Sequence, residues 1–316
     1  TGIPVEVLLV VREAMGFAEP MPDDRVRESE LLVIPMLEVE VGAGVRPALI
    51  ERSLRVFGDN LRRIAQTEAD WFRSEILMPL FRMGMSGAEI GRQTEGVASA
   101  ISEPSDQALL AIFHGQQANA WMRNIFEGFE TVLEREGLHA RVDRPPAICF
   151  LDLTGYSRLT EERGDEAAAD LTARLARIVQ RTSAEHDGTP VKYLGDGVMF
   201  FFHEPGHGVQ AALDMVEGAA EAGLPPAHVG LHAGSVLYQE GDYFGRTVNA
   251  AARIADYARQ GEVLVSQAVV DAAADLAGIR FAEIGPVELK GLSGPLRLHS
   301  AHRAARSDPD LDGAPR

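Results

Sequence analysis

Near residue 145 the hydrophobic pattern of this chain changes period, and no other feature narrows its possible folds as much. Before that point apolar residues recur at helical spacing, and few stretches are rich in β-branched residues. The spacing predicts helices over roughly 4–15, 24–41, 45–65, 67–83, 86–100 and 106–135. Pro20, Pro22 and Asp23-Asp24 mark a turn after the first, and Ser105-Asp106 supplies an N-cap for the last. Phe113, Ala118, Trp121, Ile125, Phe129 and Val132 form an apolar stripe along that last helix. Gly137 and Arg144-Pro145-Pro146 then break it.

After Pro146 strands alternate with helices. A strand over 147–153 leads to a helix at 165–184, and strands 188–193 and 197–203 form a hairpin across Gly195-Asp196. A helix at 206–222 precedes strands at 228–234 and 235–240, with Gly234 between them. Helix 246–258, strand 262–265, helix 266–275 and strands near 280–290 and 296–301 complete the series. Hairpins mixed with helices predict an α+β sandwich, not a doubly wound parallel sheet. The domain reading is all-α over 1–136, a linker over 137–146, the sandwich over 147–303 and a disordered tail over 304–316.

A chain of 316 residues can bury two cores. Its net charge of −17 argues against a nucleic-acid surface, which needs clustered Lys and Arg. The single cysteine, Cys149, excludes an intrachain disulfide and fits a reducing compartment; on an apolar strand it reads as core. No apolar run reaches the roughly 18–20 residues of a membrane span, and no signal peptide is visible. The expected location is therefore cytoplasmic. The chain starts at Thr1 without an initiator Met, which leaves room for upstream sequence.

Two acidic signatures carry the chemistry. In Phe150-Leu-Asp-Leu-Thr-Gly-Tyr156, Asp152 ends an apolar strand; in Lys192-Tyr-Leu-Gly-Asp196, Asp196 precedes the apolar run Gly197-Val-Met-Phe-Phe-Phe202. Carboxylates converging on adjacent strand ends suit a pair of Mg²⁺ ions and phosphoryl chemistry. A third cluster, Asp242-Tyr-Phe-Gly-Arg-Thr-Val-Asn249-Ala-Ala-Ala-Arg253, puts Asn249 and Arg253 four apart on one helix face. Arginine offers a permanently charged fork for phosphate, and asparagine can bond a ribose or base. Backbone N–H groups of Leu153, Thr154 and Gly155 lie in a turn leading to a helix start, a place that favours phosphate.

Together the three clusters resemble the class III nucleotidyl cyclase catalytic domain, of the bacterial type with an N-terminal helical regulatory domain. The resemblance spans roughly residues 145–301 and includes Val287-Glu-Leu-Lys-Gly291, similar to the family's terminal strand. It implies an α/β sandwich with a ferredoxin-like core and an adenylate cyclase activity that makes 3′,5′-cyclic AMP and pyrophosphate from ATP. On this resemblance Asp152 and Asp196 hold two Mg²⁺ or Mn²⁺ ions, and Lys192 and Asp242 read the adenine. Asn249 orients the ribose and Arg253 stabilises the transition state. It further implies a homodimer, because in the family the metal aspartates of one chain meet the base-reading and transition-state residues of another.

Each residue also has a plain reading. An isolated Asp after a strand is usually a turn residue, Lys192 alone a solvated strand residue, and Arg253 alone a surface one. Arg246 and Thr247 fit a helix start as well as a phosphate contact. His203, His207, His228 and His232 lack metal-ligand spacing and read as structural, with pH sensing as a lesser alternative. The alternative functions are a catalytically silent, nucleotide-sensing dimer and a cyclase for another nucleotide. The helical half carries no catalytic signature and is expected to regulate dimer geometry. A weaker expectation gives it a fatty acid-like ligand, motivated by the Met-rich run Ile76–Met85; that run alone reads more readily as helix core. Its acidity argues against a DNA-binding role for segment 1–41.

Overall fold

The computed structural model describes residues 2–18, 21, 25–135 and 144–304. The predicted turn at Pro20, Pro22 and Asp23-Asp24 lies mostly outside them, as do the linker up to 143 and the tail from 305. The chain divides into two units, Thr1–Arg141 and Val142–Arg316.

The first unit is helical. Helix α1 (Val5–Ala14) packs on α3 (Pro47–Phe72), with Val7, Val10, Val11, Leu37, Ile50 and Leu54 buried together. Leu37 comes from α2 (Ile34–Gly42), reached through a 3₁₀ segment at Glu28–Val33. Arg12 of α1 pairs with Glu30 of that segment at 2.7 Å, both largely buried, so the acidic 3₁₀ segment is fastened by a charge-assisted bond. The helix expected over 24–41 is therefore regular only from Ile34.

Two other helix boundaries also move. No break falls at residue 66: Thr67 returns its hydroxyl to the Arg63 carbonyl at 2.8 Å, and α3 runs on into a π turn (Arg73–Leu77) and α4 (Met78–Arg82). The helices expected over 86–100 and 106–135 are one helix, α5 (Gly87–Arg135), which passes through Pro104. Its start is fixed by a capping box, with Ser86 and Glu89 bonding each other's backbone N–H. A helix interior pays about 3 kcal/mol for proline, which 49 residues of continuous helix can absorb. The apolar stripe of α5 stays exposed, with Trp121 61% and Phe129 64% accessible. Among the described residues, no helix is long and apolar enough to cross a membrane.

The second unit is the expected α+β sandwich. In chain order it comprises β1 (Ala147–Leu153), α6 (Tyr156–Arg163), α7 (Asp165–Glu185), β2 (Gly188–Leu194), β3 (Gly197–Phe202), α8 (Pro205–Glu221), β4 (Ala227–Ala233), β5 (Leu237–Gln239), β6 (Asp242–Phe244), α9 (Arg246–Tyr257), β7 (Val263–Ser266), α10 (Gln267–Ala272), β8 (Ile279–Val287) and β9 (Leu296–Arg303). Seven strands form one sheet in the order β2-β3-β1-β4-β7-β9-β8. All its pairings are antiparallel except β4 with β7. The strand expected at 235–240 leaves this sheet, and β5 pairs with the short β6 instead.

Side-chain alternation sorts the sheet into two faces. Ala147, Cys149, Leu151 and Leu153 of β1 join Leu175, Val209 and Met215 in the core beneath α7 and α8. Ile148 of β1 joins Met199, Phe201 and Ala251 on the other face, beneath α9. By the same alternation Asp152 belongs to the α9 face. Gly230 of β4 lets α9 lie directly on the sheet: a Cβ there would stand 2.1 Å from the Ala255 backbone nitrogen.

Candidate active site

Asp152 is the sixth residue of β1, half-buried, and Asp196 occupies the Gly195-Asp196 turn between β2 and β3. The turn folds back on the end of β1. A Cβ on Gly197 would lie 3.3 Å from Asp152 Oδ1, so glycine leaves that oxygen uncovered. Burial raises the Asp196 carboxyl above its ordinary pKa, and the nearby Asp152 charge raises it further. Its own backbone N–H and His228 partly oppose the rise. An acidic pair in which the Asp152 charge disfavours ionised Asp196 is a fitting donor set for a hard cation with oxygen ligands.

This makes a stability prediction. The raised pKa means the folded protein loses stability as pH climbs from the ordinary carboxylate value, about 4, through that of folded Asp196. Asp196→Asn removes the charge, so the metal-free protein should gain on the order of 2 °C in Tm at neutral pH. That gain should vanish below about pH 3, where the carboxyl is protonated in both states. Thermal unfolding of both proteins in chelator, across pH, checks it; an Asp196→Asn protein less stable at pH 7 would contradict it.

Lys192 reaches the α9 face through a β-bulge. Pro190 pairs with Phe200 and Lys192 with Met199, leaving Val191 as the extra residue. Had the ladder stayed regular through Val191, Lys192 would oppose Val198, whose side chain faces α7 and α8. Paired instead with Met199, Lys192 forms an ion pair with Asp242 Oδ2. Asp242 arrives on β6, which is seated by Tyr243 stacked on Phe201 at 4.4 Å and 4° between ring planes. The Tyr243 N–H also donates to Asp242 Oδ1 at 2.8 Å.

Asn249 and Arg253 ride on α9, whose opposite side buries Thr247, Ala250, Ala251, Ile254 and Ala255. Both are exposed. Arg253 donates to Asp256 Oδ2 at 2.5 Å on its own helix. Among the described residues, no hydrogen bond or ion pair joins Asn249 or Arg253 to Asp152 or Asp196. A single chain thus brings together the acidic pair, and separately Lys192 with Asp242.

The turn after β1 departs from expectation in one respect. The Thr154 N–H donates to the Pro226 carbonyl at 2.9 Å and is not free for phosphate, and the Leu153 side chain is core. Gly155, at φ +80°, turns the chain into α6, so the available N–H groups begin there. Arg246 bonds Ser293, and Thr247 bonds the Ser235 carbonyl at 2.7 Å, which are structural roles.

His228, read from sequence as structural, sits beside the acidic pair. It is the register partner of Asp152 on β4, with Nδ1 3.1 Å from Thr154 Oγ1 and Nε2 3.8 Å from Asp152 Oδ2. Only pairing across strands reveals this. Glu185, His186 and Asp214 form a second cluster where the C-terminal end of α7 meets the middle of α8. It is tied internally by the 2.6 Å His186–Asp214 bond, and Arg303 pairs with Asp214 and Glu217, so it reads as a helix-joining ion network.

In the helical unit an open groove of roughly 550 Å³ is lined by Ile76, Pro79, Leu80 and Val97, with Glu75 and Arg92 on its walls. Met78, Met83 and Met85 do not line it, and Met83 is 67% exposed. The methionines that motivated a fatty acid-like ligand therefore give it no support.

A mixed sheet thus carries an acidic pair at adjacent strand ends and a Lys–Asp pair on the face that bears Asp152, and the class of protein is that of the nucleotide cyclases. The chain belongs to the adenylate and guanylate cyclase catalytic domain family, whose model matches residues 140–302. It is similar to an adenylate cyclase of Streptomyces coelicolor, 28% identical over 272 residues, covering 85% of this chain and 68% of that one. A pH-sensitive adenylate cyclase of Mycobacterium tuberculosis is 27% identical over 318 residues, covering 96% of this chain and 76% of its own length. An adenylate cyclase of Streptomyces griseus is 27% identical over 270 residues, covering 84% of this chain and 64% of that protein.

Proposed function

We propose that this chain is an adenylate cyclase, converting ATP to 3′,5′-cyclic AMP and pyrophosphate at sites shared across a homodimer. The observation that carries the reading is the Lys192–Asp242 pair on the sheet face that also bears Asp152. A lysine N–H donor and a carboxylate acceptor match adenine N1 and its N6 amine, and each Asp242 oxygen keeps a lone pair for the base. ATP opens the ion pair by inserting between its members.

Asp152 and Asp196 fit two divalent cations, Mg²⁺ or Mn²⁺, by their oxygen chemistry and crowded charge. When bound, the ions acidify the ribose 3′-OH and neutralise triphosphate charge. Asn249 orients the ribose. Arg253 exchanges Asp256 for the charge developing at the α-phosphate, where positioning and electrostatics supply most of the catalysis. N–H groups from Gly155 onward face the phosphates.

The isolated position of Asn249 and Arg253 supports a shared site, with α9 of one protomer meeting Asp152 and Asp196 of its partner. The exposed stripe on α5 offers apolar surface for the same association. The helical domain over 1–136 acts as regulator, ahead of a catalytic domain over 147–303, in a cytoplasmic protein with access to ATP. The match to the pH-sensitive relative extends into this helical part, which makes pH the first signal to test.

Product analysis with each nucleotide and Mn²⁺ is the deciding experiment. ATP should yield cyclic AMP, and kcat/KM for ATP should exceed that for GTP. Lys192→Ala should lower kcat/KM for ATP by about 10–100-fold, since a buried base edge is left unpaired. Absence of cyclic AMP at every protein concentration would reject the reading.

A further inference from the structure

We propose that His228 is a positioning residue that orients the Asp152 carboxylate towards the metal ions and couples it to the turn that faces phosphate. The inference rests on the metal-holding role of Asp152 and Asp196 given above.

The two Asp152 oxygens have different surroundings. Oδ1 lies on the Gly197 side, where the missing side chain leaves it open towards the Asp196 turn. Oδ2 lies 3.8 Å from His228 Nε2. One oxygen is thus free for a cation while the other has a built neighbour. Residues that ligate metal are held by such outer partners, whose loss weakens metal binding about 10–100-fold.

His228 is itself well fixed. It is nine-tenths buried, paired in register with Asp152, and 3.1 Å from Thr154 Oγ1 through Nδ1. Thr154 is anchored in turn by its N–H bond to Pro226. In the tautomer that serves, the Thr154 hydroxyl donates to Nδ1, and the ring proton resides on Nε2, facing Oδ2. A small rotation of the half-exposed carboxylate closes 3.8 Å to hydrogen-bond length when the cation draws Oδ1 to itself. A neutral donor suits this place better than Arg or Lys, because a fixed positive charge there would oppose a divalent cation. The ring thereby spans the acidic pair and the phosphate-facing turn, two parts that must arrive in register for reaction.

The test measures Mn²⁺ affinity by electron paramagnetic resonance, with α,β-methylene ATP present so that nothing turns over. His228→Leu should bind Mn²⁺ about tenfold more weakly than the parent. His228→Gln, with an amide N–H that reaches towards Asp152, should stay within about threefold. Turnover should follow the same order. If His228→Leu fails to fold by circular dichroism, His228→Asn, too short to reach Asp152, takes its place with the same expectation. Asp152→Ala is the control. If it keeps parental Mn²⁺ affinity, the metal-site reading itself fails. If Asp152→Ala loses affinity while folded His228→Leu or His228→Asn does not, or if Gln is as weak as they are, the positioning role is overturned and the metal site stands.

Discussion

Asp152→Ala and Arg253→Ala proteins, each nearly inactive alone, should regain activity when mixed. Each change removes a group needed in both sites of a homodimer, at a cost of about 10²–10³-fold in kcat if its role is electrostatic. Random reassortment makes half the dimers heterodimers, and each of these has one site lacking both groups and one site intact. Mixed protein should therefore approach about a quarter of parental activity. The structural reason is the separation on a single chain: Arg253 is held by Asp256 on α9, away from the acidic pair. The assay is cyclic AMP formation after co-refolding or subunit exchange, with heterodimers counted by differential tags. Heterodimers present without activity would exclude a shared site.

Gly230→Ala should be among the most damaging single changes in the second unit. The new Cβ would meet backbone atoms of α9, at 2.1 Å from Ala255 N and 2.7 Å from the Ile254 carbonyl carbon, and backbone cannot rotate away. Helix α9 must lift, at a cost of about 3 kcal/mol or more. Activity should fall further than stability, because α9 carries Asn249 and Arg253 and a displacement of about 1 Å can cost 10²-fold. Gly218→Ala on α8 is the contrast: its nearest neighbour would be Ile178 Cγ2 at 3.5 Å, an ordinary contact, and helix propensity favours alanine there. Urea unfolding and kcat measured on both variants separate the cases. A Gly230→Ala protein with parental stability and kcat would mean that α9 is not seated on β4.

The elements that the sequence predicted well were those with a strong period. Strand β1, the β2–β3 hairpin, and helices α7, α8 and α9 lie within a few residues of their expected ranges, because apolar alternation and helical stripes were unbroken there. Helix α6 was missed because Tyr156–Arg163 is short and polar, with no stripe to detect. Strand β6 is only three residues long and owes its place to Tyr243 stacking on Phe201, a contact between distant segments. Ser105-Asp106 reads as an N-cap by local chemistry, while the 49-residue helix passes through it and through Pro104.

The site follows the same division. The residue types at Asp152, Lys192, Asp196, Asp242, Asn249 and Arg253 stand in the sequence. The taking of the Thr154 N–H by Pro226 and the proximity of His228 to Asp152 arise from strand pairing, which no local window contains.

The bulge at Val191 has an evolutionary reading. Along a strand, which face a residue occupies depends on whether the count to it is odd or even, and one unpaired residue changes that parity. The lysine proposed to read the base is therefore placed by an irregularity in strand pairing as much as by its own identity. Regular pairing across the same two-residue spacing from Pro190 would set Lys192 opposite Val198 and turn the ammonium to the far side of the sheet. A lineage could thus lose its choice of base through a change that straightens the bulge, with every signature residue still legible in the gene.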